Sequence, residues 1–347
     1  MASRWLISGT ILFGWLLCLQ PNAQAFALLG PYASWMTPDL GYQQPGDIGG
    51  PMALGEGYRW NVPIVTYGFD QSFIQYFGQS GVSAVEQAIQ LINALPPASS
   101  VALSNYSNHA ARMNYQAQSL SLLDLKSVTL PALLEEMGLT APVRNIWALR
   151  HWDANSCQWL IFERDGFLET ATTNIPMAQF SAYYGLQRNY DPLSLYPSVF
   201  VNANEYYFYI QSTLDYSSAE IIEQNFSLGG PIHSSVCDDE IITGVGRPGF
   251  LYLGLTPDDV GGLAYLLSQS NICVESLDDF TSPAAGNTNA LIRTAPRPGV
   301  EKITFVPHPT DANGNFLPAT NLFNDSYFTN GALAMQAVQR INPQPDF

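Results

Sequence analysis

Lysine is almost missing from this sequence: Lys126 and Lys302 are the only two in 347 residues. Arginine raises the basic total to 13, against 29 acidic residues, for a formal net charge of −16. Phosphate neutralisation needs clustered Lys and Arg, so a nucleic-acid binder built on a basic footprint is excluded. A polybasic membrane patch is excluded on the same ground. Charge of either sign is scarce, at 12%, whereas 47% of the residues are hydrophobic. Disordered chains have the opposite balance, so this one folds, with length for one large domain or two modest ones.

Catalytic signatures are missing too. There is no H-E-x-x-H helix to carry two zinc ligands and a general base. No G-x-S-x-G elbow occurs, since Gly78-Gln79-Ser80-Gly81 has the wrong spacing and reads as the approach to a helix. Phosphate-binding glycine loops and a C-x-x-C-H haem site are likewise absent. Asn155-Ser156-Cys157-Gln158-Trp159 lacks the glycines and the adjacent Trp of a cysteine-protease nucleophile segment.

What is present begins with an export signal. Arg4 forms a short positive region, Trp5 to Leu19 an apolar stretch, and Ala23-Gln24-Ala25 a small-x-small cleavage site. Gln20, Pro21 and Asn22 end the apolar run short of the ~20 residues a membrane span needs. Residues 1–25 therefore read as a signal peptide, and the mature chain as secreted, with no integral membrane segment. Export permits disulfides. After loss of Cys18 three cysteines are left, enough for one bridge and one spare thiol. The polar surroundings of Cys237 and Cys273 select that pair, and Cys157, opening an apolar run, reads as a buried small hydrophobe.

Residues 26–60 are rich in Gly, Pro and aromatics and read as an extended arm lying along the body. The core domain is expected over 61–275, with a strand at Val62–Phe69 and a helix at Gly81–Leu95. In that helix Val82, Val85, Ile89 and Ile92 recur at helical spacing. A second helix is expected from Leu130 to Met137, with Thr129 as N-cap and Gly138 as stop. Further strands are expected at Ile146–Arg150, at Cys157–Glu163, and at Val199–Val201 paired with Glu205–Gln211. There Tyr206 to Tyr209 has large residues on both faces and reads as covered on both sides. Thr256-Pro257-Asp258-Asp259 is the best helix start in the chain, and its helix runs to Leu267. Residues 276–299 read as a polar linker. A strand at Glu301–Val306 and a short helix at Gly331–Ile341 then close the chain, over 300–347. The irregular alternation predicts an α+β fold, a mixed sheet with a few packed helices.

Candidate chemistry is sparse. His151 and Asp153 on one segment, with His233 and Asp238 on another, are the residues that could hold zinc, with Cys237 as an alternative ligand. Structural roles in a strand end and an acidic loop account for them more simply, so no cofactor is predicted. Asp311-Ala312-Asn313-Gly314-Asn315 places oxygens at alternate positions as a calcium loop would, but Phe316 and Leu322 stand where Gly and Glu are needed, which favours a plain turn. Asn105, Asn225 and Asn324 head glycan-acceptor triplets.

Two segments resemble bacterial zincin-like, matrixin-related extracellular proteins. Tyr58-Arg59-Trp60-Asn61-Val62-Pro63-Ile64-Val65-Thr66-Tyr67 with the following helix looks like the opening of such a domain. Leu255-Thr256-Pro257-Asp258-Asp259-Val260-Gly261-Gly262-Leu263-Ala264-Tyr265-Leu266 is similar to its last helix. The resemblance implies a zincin-like scaffold without its metal site, because the zinc-binding helix and the Met-turn have no counterpart, and no catalytic residue is carried over. The expected function is that of a secreted, non-catalytic protein acting in binding or self-assembly at the cell exterior. A secreted hydrolase, as a divergent zincin-like protease, and a carbohydrate-binding module using surface Trp and Tyr are the alternatives.

Overall fold

A computed structural model describes residues 24–34, 36, 42–43, 48–145, 150–153, 158–161, 188–198, 200–205 and 248–346. It is α+β, with helices packed among several small sheets rather than against one mixed sheet. Proline supplies a reason. Pro51, Pro283, Pro296 and Pro307 each lie within a strand. A residue without an N–H cannot sit in the middle of a ladder, so such strands stay short and at edges.

The arm expected over 26–60 begins as core. Phe26–Gly30 forms β1, buried at every residue. It pairs with β2 (Gly50–Met52), β5 (Leu139–Thr140) and β8 (Asn189–Tyr190), through Leu28↔Met52, Leu28↔Leu139 and Phe26↔Tyr190. Phe-Ala-Leu-Leu is a continuous apolar run, the pattern of a strand covered on both faces. The strand expected near Val62 is β3 (Ile64–Tyr67), and it pairs in parallel with β15 (Thr304–Pro307).

Helix α1 (Gln71–Asn93) begins ten residues before the expected start, because Asp70 caps it by accepting from Phe73 N–H, and its path breaks at Gly78 (φ 62°). Beyond the break, Ala88, Ile89 and Ile92 are buried, and Val85 packs on the core at partial depth. Helix α3 (Leu125–Glu136) follows the single turn α2 (Tyr115–Ser119), and its cap is Asp124 rather than Thr129. Asp124 accepts from Ser127 N–H and Oγ, while the Thr129 hydroxyl lies one turn inside and donates to Leu125 O. Gly138 (φ 103°) ends the helix as expected, and α4 (Pro142–Asn145) follows.

Helix α5 (Pro257–Leu267) has the expected limits and a complete capping box: Asp259 accepts from Thr256 N–H at 2.8 Å and Thr256 Oγ1 accepts from Asp259 N–H at 3.4 Å. Asp258 in its first turn accepts from Asn202 N–H at 2.6 Å, which ties the helix start to a two-residue hairpin. That hairpin joins β9 (Phe200–Val201) to β10 (Asn204–Glu205) across Asn202-Ala203, both at positive φ. The strand expected through Tyr206–Tyr209 lies outside the described residues. Between these elements lie two antiparallel pairs, β4 (Ala111–Met113) with β11 (Phe250–Tyr252), and β6 (Arg150–Asp153) with β7 (Gln158–Ile161). The shared core includes Leu28, Val65, Ile89, Leu130, Leu134, Leu263 and Phe305.

The C-terminal third departs most from expectation. Segment 276–299 is not a free linker: it contributes β13 (Thr281–Pro283) and β14 (Thr294–Arg297), and β14 pairs with β12 (Cys273–Ser276) just before it. The helix expected at Gly331–Ile341 is a strand. β16 (Ala319–Thr329) and β17 (Ala332–Asn342) form an eleven-residue hairpin, to which β13 adds a third strand. Ala, Leu, Met and Gln are good helix formers, but Asn330-Gly331 at φ 50° and 75° is a type I′ turn, the geometry that matches strand twist. Alternate burial along β17, with Gln336, Val338 and Asn342 inside, has period two rather than 3.6.

Three arginines hold this third in place. Arg59 donates to Glu275, Leu266 O, Asn271 O and Arg297 O. Arg297, 2% exposed, donates to both Asp325 oxygens (2.8 and 3.1 Å) and to three backbone carbonyls. Arg340 pairs with Asp278 and Asp346, and Asp346 accepts from Thr66 N–H in β3.

Candidate functional site

A cleft opens where the C-terminal end of α1 meets the β4–β11 pair. Its floor is apolar: Leu91, Ala94 and Leu95 come from the end of α1, and Leu253 and Leu255 from the segment between β11 and α5. The 3-10 turn Leu103–Asn105 and the residues after it supply Asn105, Tyr106, Ser107 and His109, and β4 supplies Arg112. The cleft is open to solvent, and its volume of about 460 Å³ lies within the usual range of small-molecule sites.

Polar groups converge on one side. Arg112 donates from Nη1 to Ala111 O (2.9 Å) and His109 O (3.3 Å), which holds the guanidinium flat against its own strand. Its Nε and Nη2 have no partner among the described residues. Arg59, Arg297 and Arg340 each face a carboxylate, and among the described residues Arg112 does not. Burial pushes the Tyr106 phenol above its ordinary pKa, so it stays a neutral donor.

The metal candidates from the sequence are only partly described. His151 and Asp153 occupy alternate positions of β6, opposite Leu160 and Gln158. His233, Asp238 and Cys237 lie outside the described residues. Among the described residues no group of three His, Cys, Asp or Glu side chains is placed to share an ion. The Asp311 loop closes on itself: the carboxylate accepts from Asn313 N–H (2.8 Å), Asn315 N–H (2.9 Å) and Asn315 Nδ2 (2.9 Å). Those bonds, the Asn315 side chain's foremost, hold Asp311 below the usual carboxylate pKa.

Cys273 carries a free thiol in β12. Its Sγ lies 3.5 Å from Asn271 Oδ1, and burial raises its pKa, opposing thiolate formation. Its expected partner Cys237 is not among the described residues, and neither are Cys157 and Asn225. Of the other two glycan acceptors, Asn105 is exposed on the cleft rim and Asn324 is exposed on β16.

No family model, curated protein or solved structure matches this chain. Its function is read from its own surfaces.

The second surface feature is the outer face of the C-terminal sheet. Cross-strand partners share a face, so Leu322, Ser326 and Phe328 stand with Gln339, Met335 and Leu333. Leu322 is 66% exposed, Met335 63%, Leu333 58% and Ile341 42%. Thr320, Asn324 and Ala337 complete the same side, and it carries no charge. Sequence reasoning missed this face because it placed a helix there, although Asn330-Gly331 between alternating residues was the available signal. Among the described residues no helix is long and apolar enough to cross a membrane.

Proposed function

We propose that this protein is exported, loses residues 1–25 and acts outside the cell as a non-catalytic assembly protein, with copies joined through the outer face of the β13–β17–β16 sheet. The observation that carries the reading is an uncharged, apolar sheet face on a chain of net charge −16. Exposed apolar patches of this kind mark contact surfaces. A charged partner finds nothing to pair with there, whereas a second copy meets an apolar face without like-charge repulsion.

The dimensions support a two-fold contact. Strands rise ~3.4 Å per residue and lie ~4.8 Å apart, so two eleven-residue strands and the three-residue β13 offer roughly 400 Å² per copy, or about 800 Å² in a symmetric pair. That is the size of a small, concentration-dependent contact, below the ~1,000 Å² of a permanent one. A zincin-like scaffold without its zinc helix is compatible with this role, since both segments that carry the resemblance, at β3–α1 and at α5, are core elements.

Light scattering coupled to size exclusion tests the proposal. The mature protein, produced without glycans because Asn324 stands on this face, is expected to run as a dimer or larger at micromolar concentration, and Leu322→Glu with Met335→Glu to run as a folded monomer. A wild-type protein that stays monomeric under those conditions overturns it.

A further inference from the structure

A second, independent site emerges from the cleft between α1, β4 and β11. We propose that it binds a short aliphatic carboxylate, with the tail on Leu91, Leu95 and Leu255 and the head group on Arg112.

Charge singles out this cleft. Three other clefts formed by described residues each include a carboxylate: Glu301 in one, Glu301 with Asp325 in a second, Glu135 with Glu136 in a third. Among the described residues the Arg112 cleft has no acid in its lining, and it includes an arginine and His109. On a chain with 29 acids and 13 bases, an acid-free recess with a cation at its mouth is the place where an anion meets least repulsion.

The arginine geometry selects the kind of anion. Nη1 is committed to the carbonyls of residues 109 and 111, so Nε and Nη2 are what the side chain offers. Those two N–H groups point the same way and match the two oxygens of one carboxylate in a bidentate pair. The leucine floor calls for a hydrocarbon tail on that head group. Tyr106 and His109 also line the cleft and carry side chains able to donate.

The test is isothermal titration of octanoate into the mature protein, produced without glycans because Asn105 lies on the rim. Saturable one-to-one binding is expected. Arg112→Gln should weaken it at least tenfold without changing the thermal midpoint, because Arg112 is exposed and faces no acid. Arg112→Lys, which keeps the charge and loses the fork, should fall between the two. Leu95→Glu should abolish binding. Octylamine or octanol binding as tightly as octanoate overturns the proposal, as does unchanged affinity in Arg112→Gln. A peptide ending in leucine that binds while octanoate does not also overturns it.

Discussion

Gly262 shows how a single missing methyl group positions an element. A Cβ there would lie 2.8 Å from both Leu139 Cδ2 and Phe26 Cβ, and at Gly261 it would lie 2.5 Å from Pro192 Cβ. The pair lowers helix propensity by ~1 kcal/mol each relative to Ala, and in return α5 can lie directly on β1 and β5. Arg297 and Asp325 act at the same scale with opposite chemistry: both side chains are 2% exposed and meet through two bonds. Removing one partner of such a pair strands a buried charge, which costs ~3–5 kcal/mol. Asp325→Ala should therefore cost about that much in urea denaturation. Asp279→Ala should cost under ~1 kcal/mol, because its contact with Arg293 is 3.6 Å long and exposed. Equal costs would contradict the assignment of Arg297–Asp325 as a structural anchor.

Among elements, the C-terminal hairpin is the instructive one. Its residues have helix propensity, yet the turn requires two consecutive residues at positive φ, and Asn-Gly is the dipeptide that accepts this most readily. Gly331→Val places a β-branched residue in the left-handed region, with an expected cost of ~1–2 kcal/mol. Because cross-strand register hangs on that turn, the loss should be largest in hydrogen-exchange protection along β16 and β17. Protection unchanged in the variant would mean that the long ladder, not the turn, sets the register. α5 is the contrasting case: Thr256, Pro257 and Asp259 are local signals acting within one turn, and the helix begins and ends where they indicate. α3 lies between the two, since its length was underestimated by placing the cap at Thr129 when Asp124 and Ser127 satisfy the first turn.

At the scale of the whole molecule, Arg59, Arg297, Lys302 and Arg340 use scarce basic charge for internal fastening. Burial alone would raise the pKa of Asp278, but hydrogen bonds from Arg340 and Thr281 and the Arg340 charge outweigh it and hold Asp278 low. Burial likewise opposes Glu301, and its bonds from Ser99 Oγ, Ser99 N–H and Gln269 N–H outweigh that effect. A carboxylate held below its unfolded value stabilises the fold above the ordinary carboxylate pKa of ~4 and loses that contribution as pH falls through the folded value. Stability should thus be level from about pH 7 to 5 and fall below ~4, measured by thermal midpoint. Asp278→Asn should be less stable at neutral pH and flatter toward acid. A wild-type midpoint that rises below pH 4 would refute the sign.

The near-absence of bases, the α+β class, the helix ending at Leu267 and the strand at Ile64–Tyr67 could all be read from residues in a row. Each rests on composition, on a local cap or on periodicity within one element. The candidate sites could not be read that way. Leu91, Arg112 and Leu255 meet in the cleft across more than a hundred residues of sequence. Arg297 is inside the protein only because Asp325 on a distant strand receives it. The outer face of β16 and β17 existed for the sequence only once its period was taken as two. Local propensity decides single turns of chain; which side of a strand faces water, and which arginine is left facing solvent without a carboxylate, follow from contacts that the linear order does not contain.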